Sequence, residues 1–141
     1  MKPEALLRRQ ISDYLQLQYK WAIYRWDLGA DLKLTPGQAT RHKRLHPVRG
    51  YPDLFIAEPS PRPNSGHDKY HGLFLEIKAD GVRLRKRNGS YASPHIEEQA
   101  EILSKLEFRG YKAVFAVGFE EAKEVIDRYL GREEKRKNGY A

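Results

Sequence analysis

Apolar positions along the chain change period several times, and each change marks an element. Leu7, Ile11 and Tyr14, continued by Gln18 and flanked by Leu15, recur at helical spacing, and Pro3 suits a first turn. A helix is therefore predicted over residues 4–20. WAIYRW, residues 21–26, is rich in aromatic and β-branched side chains and reads as a strand. The pattern then fails from residue 27 to 50, where Gly29, Pro36, Gly37 and Pro47 interrupt it, and a long loop is predicted. YPDLFIAE (51–58) reads as a second strand and GLFLEIKAD (72–80) as a third. Between them PSPRPNSGHDKYH is dense in turn formers.

After Gly81 comes a basic loop, then Ser93-Pro94, a capping hydroxyl followed by a proline suited to a first helical position. The helix predicted there runs to about residue 109 with Ile96, Ala100, Leu103 and Leu106 inward, and Gly110 stops it. YKAVFAVG (111–118) is a fourth strand, apolar enough to be expected at the centre of a sheet. Ala122, Val125, Ile126 and Tyr129 form the inward stripe of a last helix over 120–130, and residues 131–141 read as a flexible charged tail. No repeat and no internal boundary is visible, so residues 1–141 are expected to form a single domain. The order is αβββαβ with a C-terminal helix, an α/β fold in which a small mixed sheet is flanked by helices. The second and third strands are expected to be antiparallel. The fourth, reached through a crossover helix, is expected to be parallel to one of the others.

Composition narrows the function. A formal net charge of +7 favours a polyanionic partner, above all nucleic acid. The chain has no cysteine, which excludes disulfides and cysteine-ligated zinc and fits a reducing cytoplasm. No apolar run approaches a membrane span, and the first ten residues lack the apolar segment of a signal peptide.

The third strand carries the chemistry. Side chains alternate along it, so Leu73, Leu75, Ile77 and Ala79 point one way and Phe74, Glu76, Lys78 and Asp80 the other. Glu76 and Lys78 thus share a face, about 7 Å apart. A Glu–Lys pair on a half-exposed sheet is a common arrangement with no chemical role. The second strand weighs against that reading. Gly50 and Pro52 bend the chain just before Asp53, and if the two strands pair, Asp53 can face Glu76. Adjacent carboxylates repel unless a divalent cation lies between them, and hard oxygen donors favour magnesium or manganese. A neighbouring lysine stabilises charge developing on a phosphate. These are the needs of phosphodiester hydrolysis.

Pro52-Asp53 followed by Glu76-Ile77-Lys78 matches the signature of the PD-(D/E)XK nucleases. Gly50 ahead of it, Gln99 on the following helix, the GYKAVFAV strand and Glu4 on the first helix extend the match. From residue 4 to 130 the chain resembles the VRR-NUC family of that superfamily. The resemblance implies a restriction-endonuclease-like core and a metal-dependent endodeoxyribonuclease. It makes Asp53, Glu76 and the backbone carbonyl of Ile77 metal ligands for Mg2+ or Mn2+, Lys78 the catalytic lysine, and Gln99 and Glu4 members of the catalytic set. Gln99 also falls between Ile96 and Leu103 on the inward stripe of its helix. Stand-alone members, of phage or bacterial type, imply a symmetric homodimer cutting branched DNA such as four-way (Holliday) junctions and working in the cytoplasm, that of the bacterial host where a phage encodes it. No small-molecule cofactor and no membrane partner are expected. Two alternatives stay open: a non-catalytic nucleic-acid-binding module of the same fold, and a nuclease acting on RNA or free DNA ends.

Two basic runs flank the proposed site in sequence: Arg41, Lys43, Arg44 and Arg49 before it, and Arg83, Arg85, Lys86 and Arg87 after it. Their placement makes them candidates for gripping a phosphate backbone, with Asn88 and Tyr91 near enough to touch bases or sugars. His42 and His46 have helical ligand spacing, but Pro47 and the surrounding cations argue against zinc. His95 reads as a surface residue, Arg25 as non-catalytic, and Trp21, Tyr24 and Trp26 as core or oligomer contacts.

Overall fold

The computed structural model of the chain describes residues 1–28, 33–63, 66 and 68–131. Its elements are α1 (Pro3–Gln18), β1 (Tyr24–Trp26), α2 (Pro36–Leu45), β2 (Leu54–Ile56), β3 (Ser60–Pro61), β4 (Lys69–Tyr70), β5 (Leu73–Lys78), α3 (Pro94–Phe108), β6 (Lys112–Val117) and α4 (Gly118–Leu130). Four strands form one sheet in the order β1-β2-β5-β6, antiparallel except for the parallel pair β5-β6. The mixed α/β architecture and both expected pairings are therefore observed. The charged tail expected from residue 131 lies outside the described residues from 132 onward.

The two faces of β5 organise the core. Leu73, Leu75 and Ile77 join Leu7, Ile11 and Leu15 of α1 and Ala122, Ile126, Tyr129 and Leu130 of α4 in the larger cluster. On the other face Phe74 packs with Leu103 of α3 and Ala113 of β6. Helices thus cover both sides, and all six residues of β5 are buried. Each fully buried Leu or Ile contributes about 1.5–3 kcal/mol, so this strand anchors the domain. The indole Nε1 of Trp26 donates to Ser12 Oγ at 2.7 Å, and Trp21, Tyr24 and Trp26 pack against the larger cluster. Tyr19 donates to Asp127 Oδ1 at 2.6 Å, and Tyr14 donates to the same oxygen at 2.5 Å, which ties α1 to α4.

Three expectations are corrected. β6 lies at the edge of the sheet, not its centre. Its apolar composition reflects helices packed on both of its faces rather than strands on both of its edges. The segment read as a patternless loop over 27–50 contains α2. Thr35 accepts from Gln38 N and the Gln38 side chain accepts from Thr35 N, a reciprocal cap with Pro36 at the first position. End effects rather than an apolar stripe make this helix, which is why periodicity missed it. The turn-rich segment between the second and third predicted strands holds a small antiparallel ribbon, β3 with β4.

Candidate active site

The site forms where the pairing of β2 with β5 ends. Leu54, the first residue of β2, pairs with Leu75 at that end of the ladder. Continuing the register by one sets Asp53 opposite Glu76. The preceding residue, Pro52, has no N–H with which to extend the ladder, and the Asp53 side chain takes over. Its Oδ2 accepts from the backbone N of Ile77 at 2.9 Å. The strands therefore part just where β5 presents Glu76 and Lys78, near its C-terminal end.

Glu76 and Lys78 are 4% and 8% exposed, which rules out a solvated pair on a sheet face. They do not neutralise each other tightly either. Lys78 Nζ lies 3.9 Å from Glu76 Oε1, beyond hydrogen-bond range, whereas Gln99 Nε2 donates to that oxygen at 2.7 Å. Gln99 reaches it from α3, where it is buried on the same stripe as Ile96 and Leu103. Glu76 Oε2 and Gln99 Oε1 are buried with no hydrogen-bond partner among the described residues. Buried polar atoms of folded proteins are normally satisfied, so these two mark a place for a further ligand.

Electrostatics point the same way. Burial and the charge of the neighbouring Asp53 push Glu76 well above the usual carboxylate range. Burial raises Asp53 as well. The neighbouring Glu76 carboxyl and the Ile77 N–H oppose that rise, the Glu4 charge adds to it and Lys78 opposes it. Glu4 is exposed on the first turn of α1, beside a cavity of about 450 Å3 lined by Lys2, Pro3, Glu4, Ala5, Arg8 and Ala79. Asp80, expected on the face of Glu76 and Lys78, falls in the turn after β5, beside the first residue of α4. A Cβ at Gly118 would meet its Oδ1 at 3.1 Å.

Asp53, Glu76, Lys78 and Gln99 thus converge, with Glu4 at the rim and the buried Ile77 supplying backbone. One positioning feature escaped the sequence. Gly50, with φ +76°, runs so close to α3 that a Cβ would lie 3.2 Å from the Glu98 carbonyl oxygen and 3.3 Å from the Gln99 backbone. The turn before Asp53 therefore abuts the residue that holds Glu76.

No protein-family model and no curated protein matches the chain. Among solved structures it is similar to a chain titled "VRR_NUC domain protein", with a TM-score of 0.59 and 28% sequence identity, covering 93% of this chain and 90% of that one. The chain has the VRR-NUC fold. With nearly the full length of both chains matched, it is a nuclease-type domain.

On this VRR-NUC fold the two basic runs take defined forms. Arg41, Lys43 and Arg44 are exposed on α2, and Arg49 follows it, its Nε 3.5 Å from Glu98 Oε2 on α3. The second run forms a tight loop. An Arg85–Tyr91 bridge closes it, with Lys86 N donating to Ser90 O at 2.8 Å. Arg85 also donates to Gly89 O at 2.6 Å and lies 4.1 Å over the Tyr91 ring, so it shapes the loop. Asn88 accepts from Ser90 within the same loop, while Arg83, Lys86 and Arg87 are exposed. His42 and His46 stack at 3.9 Å, with His46 Nδ1 2.8 Å from the His42 carbonyl oxygen. No group of three or more His, Cys, Asp or Glu side chains able to hold a metal exists among the described residues. His95 is exposed, as expected, and so is Arg25. No described helix is long and apolar enough to cross a membrane.

Proposed function

We propose that the protein is a divalent-cation-dependent DNA endonuclease. The observation that carries the reading is the convergence of a buried carboxyl, Glu76, and a half-buried one, Asp53, with a buried lysine, Lys78. The donor set fits magnesium or manganese. Such ions are held by one or two carboxylates and keep several waters, so a cluster of three acidic side chains is not required. The buried, unpartnered Glu76 Oε2 and the raised carboxyl pair both ask for positive charge. Asp53, Glu76 and the carbonyl of Ile77 would hold the ion. Once bound, it would polarise the phosphodiester and lower the pKa of an attached water.

The chain's own residues do the rest. Lys78 places an ammonium where negative charge grows on the phosphate. Gln99 fixes the rotamer of Glu76 through its amide, and Glu4 adds negative potential beside Asp53. Arg41, Lys43, Arg44, Arg49, Arg83, Lys86 and Arg87 supply cations for the DNA backbone, and Arg85 shapes the loop that presents Lys86 and Arg87. The resemblance to stand-alone VRR-NUC enzymes supports branched DNA, such as a four-way junction, as substrate. A symmetric homodimer suits that task because two strands need two active sites.

Labelled duplex, single-stranded, flap and four-way-junction DNA test this, incubated with Mg2+, with Mn2+ or with a chelator, alongside Asp53→Ala and Lys78→Ala. Cation-dependent cleavage by wild type and a loss of at least a hundredfold in both variants are expected. A protein that binds but never cuts, or variants that cut equally well, would overturn the nuclease reading. Linear duplex cut as readily as the junction would remove only the branched substrate.

A further inference from the structure

α2 is unusual within this domain because nothing in it is buried. Its ten residues carry Arg41, Lys43 and Arg44 and bury no side chain, and Leu45 at its end is 75% exposed. From residue 33 to 49 the chain has no Asp or Glu. Helices normally persist because one face packs on a core, and short isolated ones are marginal in water. This one is held by its ends: the Thr35–Gln38 reciprocal cap with Pro36 at the front, and basic side chains in the last turn, where they complement the helix dipole. A formed helix that buries nothing and carries only positive charge is matched to an external polyanion.

We infer that α2 is a docking helix that enters the major groove of B-form duplex DNA and seats the duplex beside the Asp53–Glu76 centre. This rests on the nuclease reading and extends it to how the substrate is held. Ten residues make a rod about 15 Å long, and the major groove of B-DNA, about 12 Å wide, admits a helix. The charge on α2 disfavours a second copy of this chain as occupant, since each copy carries a net +7. The route from α2 to the chemistry is short. Residues 46–52 lead directly to Asp53, and on the way Arg49 meets Glu98 and Gly50 abuts the Gln99 backbone. Docked DNA is thereby registered against both carboxyl-bearing strands and the glutamine helix.

Two variants separate shape from charge. Thr40→Pro breaks the middle of α2 and keeps every cation. A triple alanine variant of Arg41, Lys43 and Arg44 keeps the helix and removes the charge. In chelator, where nothing is cut, a labelled 30-base-pair DNA duplex should bind each variant at least tenfold more weakly than wild type. The triple variant should also flatten the log–log salt dependence by about 2.7, three phosphates at 0.9 each. Thermal midpoints should stay within a few degrees of wild type, because α2 supports no core. An A-form RNA duplex of the same length should bind wild type at least tenfold more weakly than DNA, since its major groove is too narrow for a helix.

The inference falls if Thr40→Pro binds duplex like wild type, if it unfolds the domain, or if RNA and DNA duplexes bind equally. It falls too if the variants only turn a dimer into a monomer with duplex affinity unchanged. These outcomes are distinct from failure of the nuclease reading, in which wild type docks duplex through α2 yet cuts nothing in Mg2+ or Mn2+.

Discussion

Gln99 on α3 donates a 2.7 Å hydrogen bond to the Glu76 carboxylate on β5, twenty-three residues earlier in the chain. The bond crosses from helix to sheet inside the protein and is the one short hydrogen bond to the buried Glu76 carboxyl among the described residues. Glu76 is therefore held by an amide rather than by Lys78, which leaves the lysine's charge available to a substrate phosphate.

Removing the amide should expose that dependence. Gln99→Ala is expected to destabilise the domain by about 1–3 kcal/mol, because it leaves a buried carboxyl short of a donor. Cleavage should fall about 10–100-fold, as is typical when the partner orienting a metal-ligating side chain is lost. Single-turnover kinetics at saturating DNA would check this. The loss should appear in the rate constant with little change in DNA affinity.

Glu76→Gln should stabilise the protein in the absence of divalent cations, and more so as pH rises. The folded carboxyl of Glu76 is raised above its unfolded value, so its favourable contribution is full below the unfolded pKa and is lost as pH climbs through the folded one. The amide does not titrate. Between about pH 5 and pH 8 the stability difference between variant and wild type should grow by at least ~1.4 kcal/mol, the equivalent of one pKa unit. Urea unfolding in chelator at both pH values measures it. A difference that shrinks with pH would mean that the carboxyl is not destabilised by folding.

Magnesium or manganese should reverse that penalty in wild type. An ion bound only by the folded state adds RT ln(1 + [L]/Kd), about 2.7 kcal/mol at a hundredfold excess over Kd. Thermal unfolding with increasing cation should shift upward for wild type and stay flat for Asp53→Asn and Glu76→Gln. Equal shifts in all three would place the ion elsewhere.

Gly50→Ala tests the coupling between the turn and α3. Its φ of +76° costs an L-residue about 1–2 kcal/mol, and the added Cβ would press 3.2 Å from the Glu98 carbonyl oxygen. Gly66→Ala, in the turn between β3 and β4, is the matched control, with φ +70° and nothing within 4 Å of the new Cβ. Both variants should lose some stability. Only Gly50→Ala should also slow cleavage, by displacing Gln99 from Glu76.

Much of the site was legible in one stretch, LFLEIK. Alternation along a strand is a property of backbone geometry over a few residues, so the shared face of Glu76 and Lys78 followed from the order of side chains alone. The same local logic placed Gln99 on the inward stripe of α3 and Asp53 at the mouth of β2. Signals with a weak or unfamiliar period were lost. Thr35-Pro36-Gly37-Gln38 holds a capping box, but without an apolar stripe behind it α2 read as loop.

By itself, then, the sequence determined the elements with strong apolar periods, the antiparallel and parallel pairings, and the face that each charged residue of β5 occupies. Those features depend on dihedral geometry and on neighbours a few residues away. Tertiary structure decided what depends on distant packing. It put β6 at the sheet edge, apolar because α3 and α4 cover its faces, and it left α2 outside the core. It buried Glu76 beside Asp53 and Gln99 rather than pairing it with Lys78. Burial is the physical reason that last choice matters: the same two carboxyls on a solvated sheet would keep ordinary pKa values and have no need of a cation.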